Sequence, residues 1–310
     1  MKPFTQKKLY GLDKYFFELK NLYDNEKMPN KILLSGKKGS GKATLAYHLI
    51  NYILSDKEKN KYDYKKLLIN EENKSFKLLL NNSHPNFYLI DLIDDKKNIE
   101  IDQIRKMINY TNKSSFNRTP RVILIDNIEN LNKNSTNALL KIIEEPNENI
   151  FFILIHNNNK KISSTLKSRC LIFKITLSFN EVIEISNFLL KKNLFNKINK
   201  ELINYYETPG NYIGLINFFE DKKIDLNNYS LINFIIYLID NGHYKKNKFI
   251  KDLIINYIEL YFLRIYKFSE SKNVVLYLYQ YFINKIKDVD KFNLDDESLF
   301  IEFKHKLLNG

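Results

Sequence analysis

Lys31-Ile32-Leu33-Leu34-Ser35-Gly36-Lys37-Lys38-Gly39-Ser40-Gly41-Lys42-Ala43-Thr44 is the stretch that decides the fold. A short apolar run of β character leads into a glycine-rich loop, and the loop opens a segment, Ala43 to Leu54, with helical periodicity. Gly36, Gly41 and Lys42 stand in the register G-x-x-x-x-G-K. Between a strand and a helix, such a loop turns backbone N–H groups and the helix N-terminus toward phosphate oxygens, and Lys42 adds a positive charge. An ordinary glycine-rich turn is the alternative. The candidate nucleotide-binding residues are Gly36, Gly39, Gly41, Lys42 and Thr44, with ATP or ADP as the ligand.

Working outward, strand-like runs recur at Phe87 to Leu92, Arg121 to Ile125, Phe151 to Ile155 and Leu171 to Ile175. Each is apolar almost without alternation, as expected of strands covered on both faces of a mainly parallel sheet. Between them Asp102 to Thr111 carries Ile104, Met107 and Ile108 at helical spacing. Asn134 is expected to cap a helix bearing Ala138, Leu139, Ile142 and Ile143, which Pro146 ends. The charged stretch from Tyr62 to Ser83 reads either as an inserted helical excursion or as a loose surface segment.

After about Ile175 the strands stop. Helical patterns follow at Glu181 to Lys192, Lys200 to Tyr206, Gly210 to Phe219 and Leu231 to Ile239, then a turn at Asn241-Gly242. Three more lie near Phe249 to Phe268, Asn273 to Ile286 and Glu297 to Leu308. The expected domains are an α/β domain over 1–176, a small helical domain over 177–241 and a second helical domain over 242–310.

The phosphate-loop reading meets two departures. Ala43 stands where a Ser or Thr hydroxyl would ligate Mg²⁺, and Thr44 is roughly 100° further around the helix. Val122-Ile123-Leu124-Ile125 ends in Asp126, an acid that could hold Mg²⁺ through water, but the next residue is Asn127, which cannot act as a base. Glu129, two residues further on, is expected to point elsewhere. These residues favour nucleotide binding over Mg²⁺-assisted hydrolysis.

The formal net charge of +13 invites a nucleic-acid reading. Only five of 49 basic residues are arginine, however, and the abundance of Lys, Asn, Ile, Tyr and Phe without Trp is the composition of an A+T-rich coding sequence, so most lysines read as solvated surface. No apolar run reaches membrane-spanning length, and the Met1-Lys2-Pro3-Phe4-Thr5 start lacks the apolar region of a secretory signal. With Cys170 as the single cysteine, no intrachain disulfide can form, and a cytoplasmic location is expected.

Ser135-Thr136-Asn137-Ala138-Leu139-Leu140-Lys141-Ile142-Ile143-Glu144-Glu145-Pro146, then Phe151 to Ile155, then Ser168-Arg169-Cys170, closely resembles the bacterial DNA polymerase III clamp-loader subunits, an AAA+ family. His84-Pro85, Ile101-Asp102-Gln103-Ile104-Arg105 and Thr208-Pro209-Gly210 extend the resemblance over most of residues 30 to 215. It implies an AAA+ P-loop domain, a helical lid and an all-α, collar-like domain for oligomerisation. It also makes Arg169 an arginine finger that acts in trans on a nucleotide bound by a neighbouring subunit, where the residues alone leave a local ion pair as the alternative. The implied partners are the gamma/tau and delta subunits, with the sliding clamp and primed DNA reached through the complex. Active members carry an arginine just after the glycine that opens the lid helix, whereas Gly210 is followed here by Asn211-Tyr212-Ile213-Gly214. Together with Ala43 and Asn127 this matches the delta-prime pattern, which lacks productive hydrolysis and retains the finger; a gamma/tau-type ATPase is the alternative, although the long tau extension is missing where the chain stops at Gly310. The four-cysteine zinc module of many relatives is not expected, since Cys170 stands alone.

Overall fold

The computed structural model describes residues 2–93, 96–112, 119–144, 149–245, 247–292 and 294–308. The chain divides into two compact units, Met1–Lys191 with Thr208–Gly214, and Lys192–Glu207 with Leu215–Gly310.

The first unit is built on five strands: β1 (Lys31–Ser35), β2 (Phe87–Ile90), β3 (Arg121–Ile125), β4 (Ile150–His156) and β5 (Leu171–Lys174). Their order is β2-β3-β4-β1-β5, and every pairing is parallel, with Leu33 beside Leu154 on one side and Ile172 on the other. Successive side chains of a strand enter opposite faces, so the apolar runs feed two cores. Ile32, Leu34, Val122, Leu124, Ile153 and Ile155 pack toward α1 (Asp13–Asp24) and α2 (Lys42–Leu54). Leu33, Ile123, Ile125, Phe152 and Leu154 pack toward α4 (Ile101–Thr111) and α5 (Lys133–Glu144), which contribute Ile104, Met107, Leu139 and Ile143. Two-sided burial explains why these strands read as unbroken apolar runs.

β5 departs from that expectation. It is the outer strand beside β1, and Leu171 and Ile172, which point to opposite faces, remain 41% and 39% exposed, so only Phe173 of the strand is buried. The α5 cap also shifts: Asn132, not Asn134, accepts from Ser135 N at 2.8 Å. Pro146 lies outside the described residues. The ambiguous stretch from Tyr62 to Ser83 is anchored rather than loose. Leu67 and Ile69 pair by backbone with the N-terminal segment at Leu9 and Lys7, and Asn73 caps a short helix, α3 (Lys74–Leu80). Tyr62, Leu67, Ile69, Phe76 and Leu79 all reach the α1/α2 core. Their irregular spacing, set by turns, hid them from a periodicity reading. α1 itself was not anticipated, and it buries only Tyr15, Phe16 and Leu19. The first unit is completed by α6 (Ser164–Lys167) and α7 (Phe179–Leu190), the latter opened by a Ser178/Glu181 capping box.

α8 (Pro209–Glu220) begins in the first unit and ends in the second. The second unit then holds α9 (Leu231–Asp240), α10 (Lys248–Phe268), α11 (Lys272–Phe292) and α12 (Asp296–Leu308). Phe282 and Phe303 meet edge to face at 5.0 Å and Tyr244 and Phe300 at 4.8 Å, and Lys251 pairs with Asp296 at 2.7 Å. The helix expected over Lys200 to Tyr206 is a single 3₁₀ turn, Lys200–Leu202. Asn199 Oδ1 accepts from Glu201 N at 2.9 Å and Asn204 Oδ1 from Tyr206 N at 3.0 Å, local bonds that compete with helix propagation.

His48 ties α2 to its surroundings, with Nδ1 2.8 Å from Tyr62 Oη and Nε2 3.0 Å from Gln6 O. Burial pushes its pKa down to about 4. The unfolded chain takes up the proton near 6.5, so stability present above that pH drains away as the pH falls toward 4, by about 3 kcal/mol. Urea titrations should find the wild type losing about that much relative to His48→Gln between pH 6.5 and 4, whereas parallel profiles would deny the histidine this role.

Candidate functional site

Because all five strands run parallel, the residues that follow them gather along one edge of the sheet, where α/β proteins bind ligands. Gly36 follows β1, Asp91 follows β2, Asp126 and Asn127 follow β3, and Asn157 follows β4. The loop after β1 holds Gly39 at φ +83° and Gly41 at φ +88°, left-handed positions that favour glycine. Gly41 is the N-cap of α2, and a Cβ there would stand 2.9 Å from Leu12 Cδ1. Lys42, the first residue of α2 and 3% exposed, folds back across the loop. Its ammonium donates to Gly36 O at 3.0 Å, Lys37 O at 2.6 Å and Ser40 Oγ at 3.5 Å. Burial lowers its pKa to about 8, against the opposing pull of Asp126 and Glu129, so it carries its charge at neutral pH.

The loop is clasped from outside. Thr208 Oγ1 donates to Lys38 O at 2.9 Å and Gly210 N to Gly39 O at 3.0 Å. This approach depends on two glycines meeting without side chains: a Cβ on Gly210 would lie 2.7 Å from Gly39 Cα, and one on Gly39 would lie 2.5 Å from Thr208 Oγ1.

On the acidic side, exclusion of water and then the nearby Asp91 raise Asp126 to about 7. Asn127 takes φ +55° and starts a 3₁₀ turn, Ile128–Asn130. Its amide donates to Asp91 Oδ1 at 2.7 Å, and its Oδ1 accepts from Asn157 Nδ2 at 2.8 Å. Asn127 is thus fastened between the ends of β2 and β4. The same turn corrects the expectation for Glu129. It does not point away; it is 7% exposed, its Oε2 accepts from Asn157 N at 3.2 Å, and its charge acts on both Lys42 and Asp126. Asp91, Asn157, Thr208 and Glu129 were therefore missed as neighbours of the loop. For Asp91 and Asn157 the available signal was positional, polar residues directly after apolar strands; Thr208 and Glu129 carried no such signal. Ala43 and Thr44 are both half-buried at the start of α2.

Arg169 lies elsewhere. It follows α6 and precedes β5, and since Ile32 pairs with Leu171 while Ser35 pairs with Lys174, it sits at the opposite end of the sheet from Gly36. Six residues of strand rise separate the two levels, roughly 20 Å. Its guanidinium pairs with Glu144 at 2.7 Å and donates to Thr165 O at 2.9 Å, while the side chain stays 35% exposed. The structure thus brings Gly36, Gly39, Gly41, Lys42 and Asp126 together and leaves Arg169 apart.

A glycine-rich loop closed by its own lysine after β1, an acid after β3, one strand removed in the order β2-β3-β4-β1-β5, and a helical C-terminal region define an AAA+ P-loop protein. A solved structure of a DNA polymerase III gamma subunit-related protein from Thermotoga maritima shares this fold, with a TM-score of 0.53 and 16% identity, covering 93% of this chain and 97% of that one. The family described as DNA polymerase III, delta subunit matches residues 11–178, and the chain belongs to this family of clamp-loader subunits, in its delta-prime branch. A DNA polymerase III subunit delta' from Buchnera aphidicola subsp. Schizaphis graminum is 30% identical over 183 residues, 59% of this chain and 53% of the relative. A subunit gamma from the same organism is 32% identical over 237 residues, 75% of this chain and 62% of the relative. The chain therefore spans between half and two thirds of the length of these relatives.

Gly210→Ala should force the loop and its clasp apart, lowering the unfolding free energy by about 1–3 kcal/mol in a urea titration. Full stability in that variant would mean that the Gly39 contact is dispensable.

Proposed function

We propose that the chain serves as a delta-prime-type subunit of the DNA polymerase III clamp loader, supporting ATP-dependent loading of the sliding clamp on primed DNA. In this reading Arg169 acts in trans on a nucleotide held by a neighbouring gamma/tau-type subunit, with delta completing the assembly in the cytoplasm. The observation that carries it is the placement of Arg169 at the end of the sheet remote from the chain's own phosphate loop, on a short turn with a partly exposed guanidinium. A group roughly 20 Å from its own loop is out of reach of a nucleotide held there, which supports a role on another chain. A guanidinium held in a fixed fork suits charge developing on a transferred phosphoryl group. The Glu144 pair is the local ion pair that was the alternative for this residue. An exposed pair of this kind is worth about 0.2–1 kcal/mol, far less than the contribution of a finger, so it offers little resistance to exchange for a phosphate.

The chain's own loop is read as a nucleotide site with poor hydrolysis, since Ala43, Asn127 and Asn211 each withhold a contact that an active site uses. Should the site take nucleotide with Mg²⁺, Gly36, Gly39, Gly41 and Lys42 would bind the phosphates and Asp126 would face the cation, which would offset phosphate charge. The C-terminal helices, 242–310 in this reading, are assigned to oligomerisation. Phe268, Val274, Tyr277, Phe292 and Leu294 support this assignment by remaining 56–87% exposed on the second unit.

Arg169→Ala should lower DNA-stimulated ATP turnover at the served site by on the order of 10³-fold and impair clamp loading, while co-purification with the other subunits persists. Unchanged loading would overturn the trans role. The preserved geometry of Lys42 favours a second reading, an autonomous gamma/tau-type ATPase. The isolated chain with Mg²⁺ is expected to turn over ATP no faster than its Lys42→Ala variant, and turnover abolished by that substitution would establish the second reading instead.

A further inference from the structure

One acid beside the phosphate loop has no part in the reading above. Glu129 is buried, its Oε2 is held by Asn157 N, and its Oε1 has no hydrogen-bond partner. Leaving a carboxylate oxygen buried and unmatched is costly, so such atoms are usually met by a donor or a cation. Lys42 is close enough to feel its charge but does not satisfy it, because the ammonium is directed to Gly36 O, Lys37 O and Ser40 Oγ. The Asn127 and Asn157 amides are likewise committed to Asp91 and Asn127. Glu129 and Asp126 therefore stand together beside one lysine, with Asp91 behind them acting on Asp126.

This arrangement has a local charge problem. Phosphates cradled by the loop would come close to the buried carboxylates of Asp126 and Glu129, and a divalent cation between them would offset that repulsion. Among the described residues no group of three or more His, Cys, Asp or Glu side chains could hold a metal ion alone. Two carboxylates plus phosphate oxygens is, however, the usual way Mg²⁺ is bound. Ala43 has withdrawn the hydroxyl that would otherwise face that cation.

We propose that Glu129, together with Asp126, forms the cation-facing edge of the phosphate loop in place of the hydroxyl missing at Ala43, so that this chain takes nucleotide as its divalent-cation complex. The proposal rests on the reading of the loop as a nucleotide site and requires no hydrolysis by this chain. Glu129 is fixed for the role by the left-handed turn at Asn127 and by the backbone bond from Asn157.

The test is calorimetric titration of the full-length chain with ADP, with Mg²⁺ and with chelator. Mg²⁺ is expected to tighten ADP binding by about tenfold or more in the wild type. In Glu129→Gln the Mg²⁺ effect should fall to about twofold or less, while binding in chelator is kept or strengthened because a negative charge has gone. Glu129→Asp should restore part of the Mg²⁺ effect. An unaltered Mg²⁺ effect in Glu129→Gln, or loss of binding under both conditions, would overturn the proposal. A wild type that binds no ADP in either condition would overturn the nucleotide reading along with it and leave the trans role of Arg169, which is tested in the assembled complex, standing on its own result.

Discussion

The parallel pairing of β1 between β4 and β5 is the constraint on which the rest depends. It sends the glycine-rich loop off one end of the sheet and sets the Arg169 turn at the other. Without two-sided burial of Ile32, Leu33 and Leu34, neither end would be fixed relative to the other. Main-chain ladders and apolar packing thereby hold two charged groups, the Lys42 ammonium and the Arg169 guanidinium, at opposite ends of one sheet.

The loop itself is stabilised less by its glycines than by what they permit. Left-handed backbone at Gly39 and Gly41 brings the carbonyls of Gly36 and Lys37 around the Lys42 ammonium, and the bare Cα of Gly210 lets a distant segment close on the outside. Burying Lys42 disfavours its charge, and the nearby acids restore part of the balance. The site is thus electrostatically strained in both directions, with a lysine whose pKa is lowered and an aspartate raised to about 7 for the same reason, removal from water.

Much of the fold was legible because the buried strands are short, apolar and separated by helical spacing, and the phosphate loop announced itself through Gly36, Gly41 and Lys42. The sheet edge was not legible: Leu171 and Ile172 look like core residues, and only the strand order reveals that β5 is an outer strand on which both remain partly exposed. Nor was Glu129, because its direction is set by the left-handed conformation of Asn127, a backbone choice that periodicity does not encode. Short polar side chains were the other source of error. Asn132 took the cap expected of Asn134, and Asn199 and Asn204 replaced an expected helix by bonding their own backbone. In an Asn-rich chain the local competition between side chain and main chain decides boundaries that hydrophobic spacing leaves open.

The single cysteine lies one residue from the arginine of the remote turn. Half-buried at the head of β5, its thiol is pushed up to about 11 by burial, so at neutral pH only about one molecule in 10⁴ carries the reactive thiolate. The free thiol is therefore a poor nucleophile toward oxidants and alkylating reagents at neutral pH, because the burial that packs it against the α4/α5 core also withholds its charge.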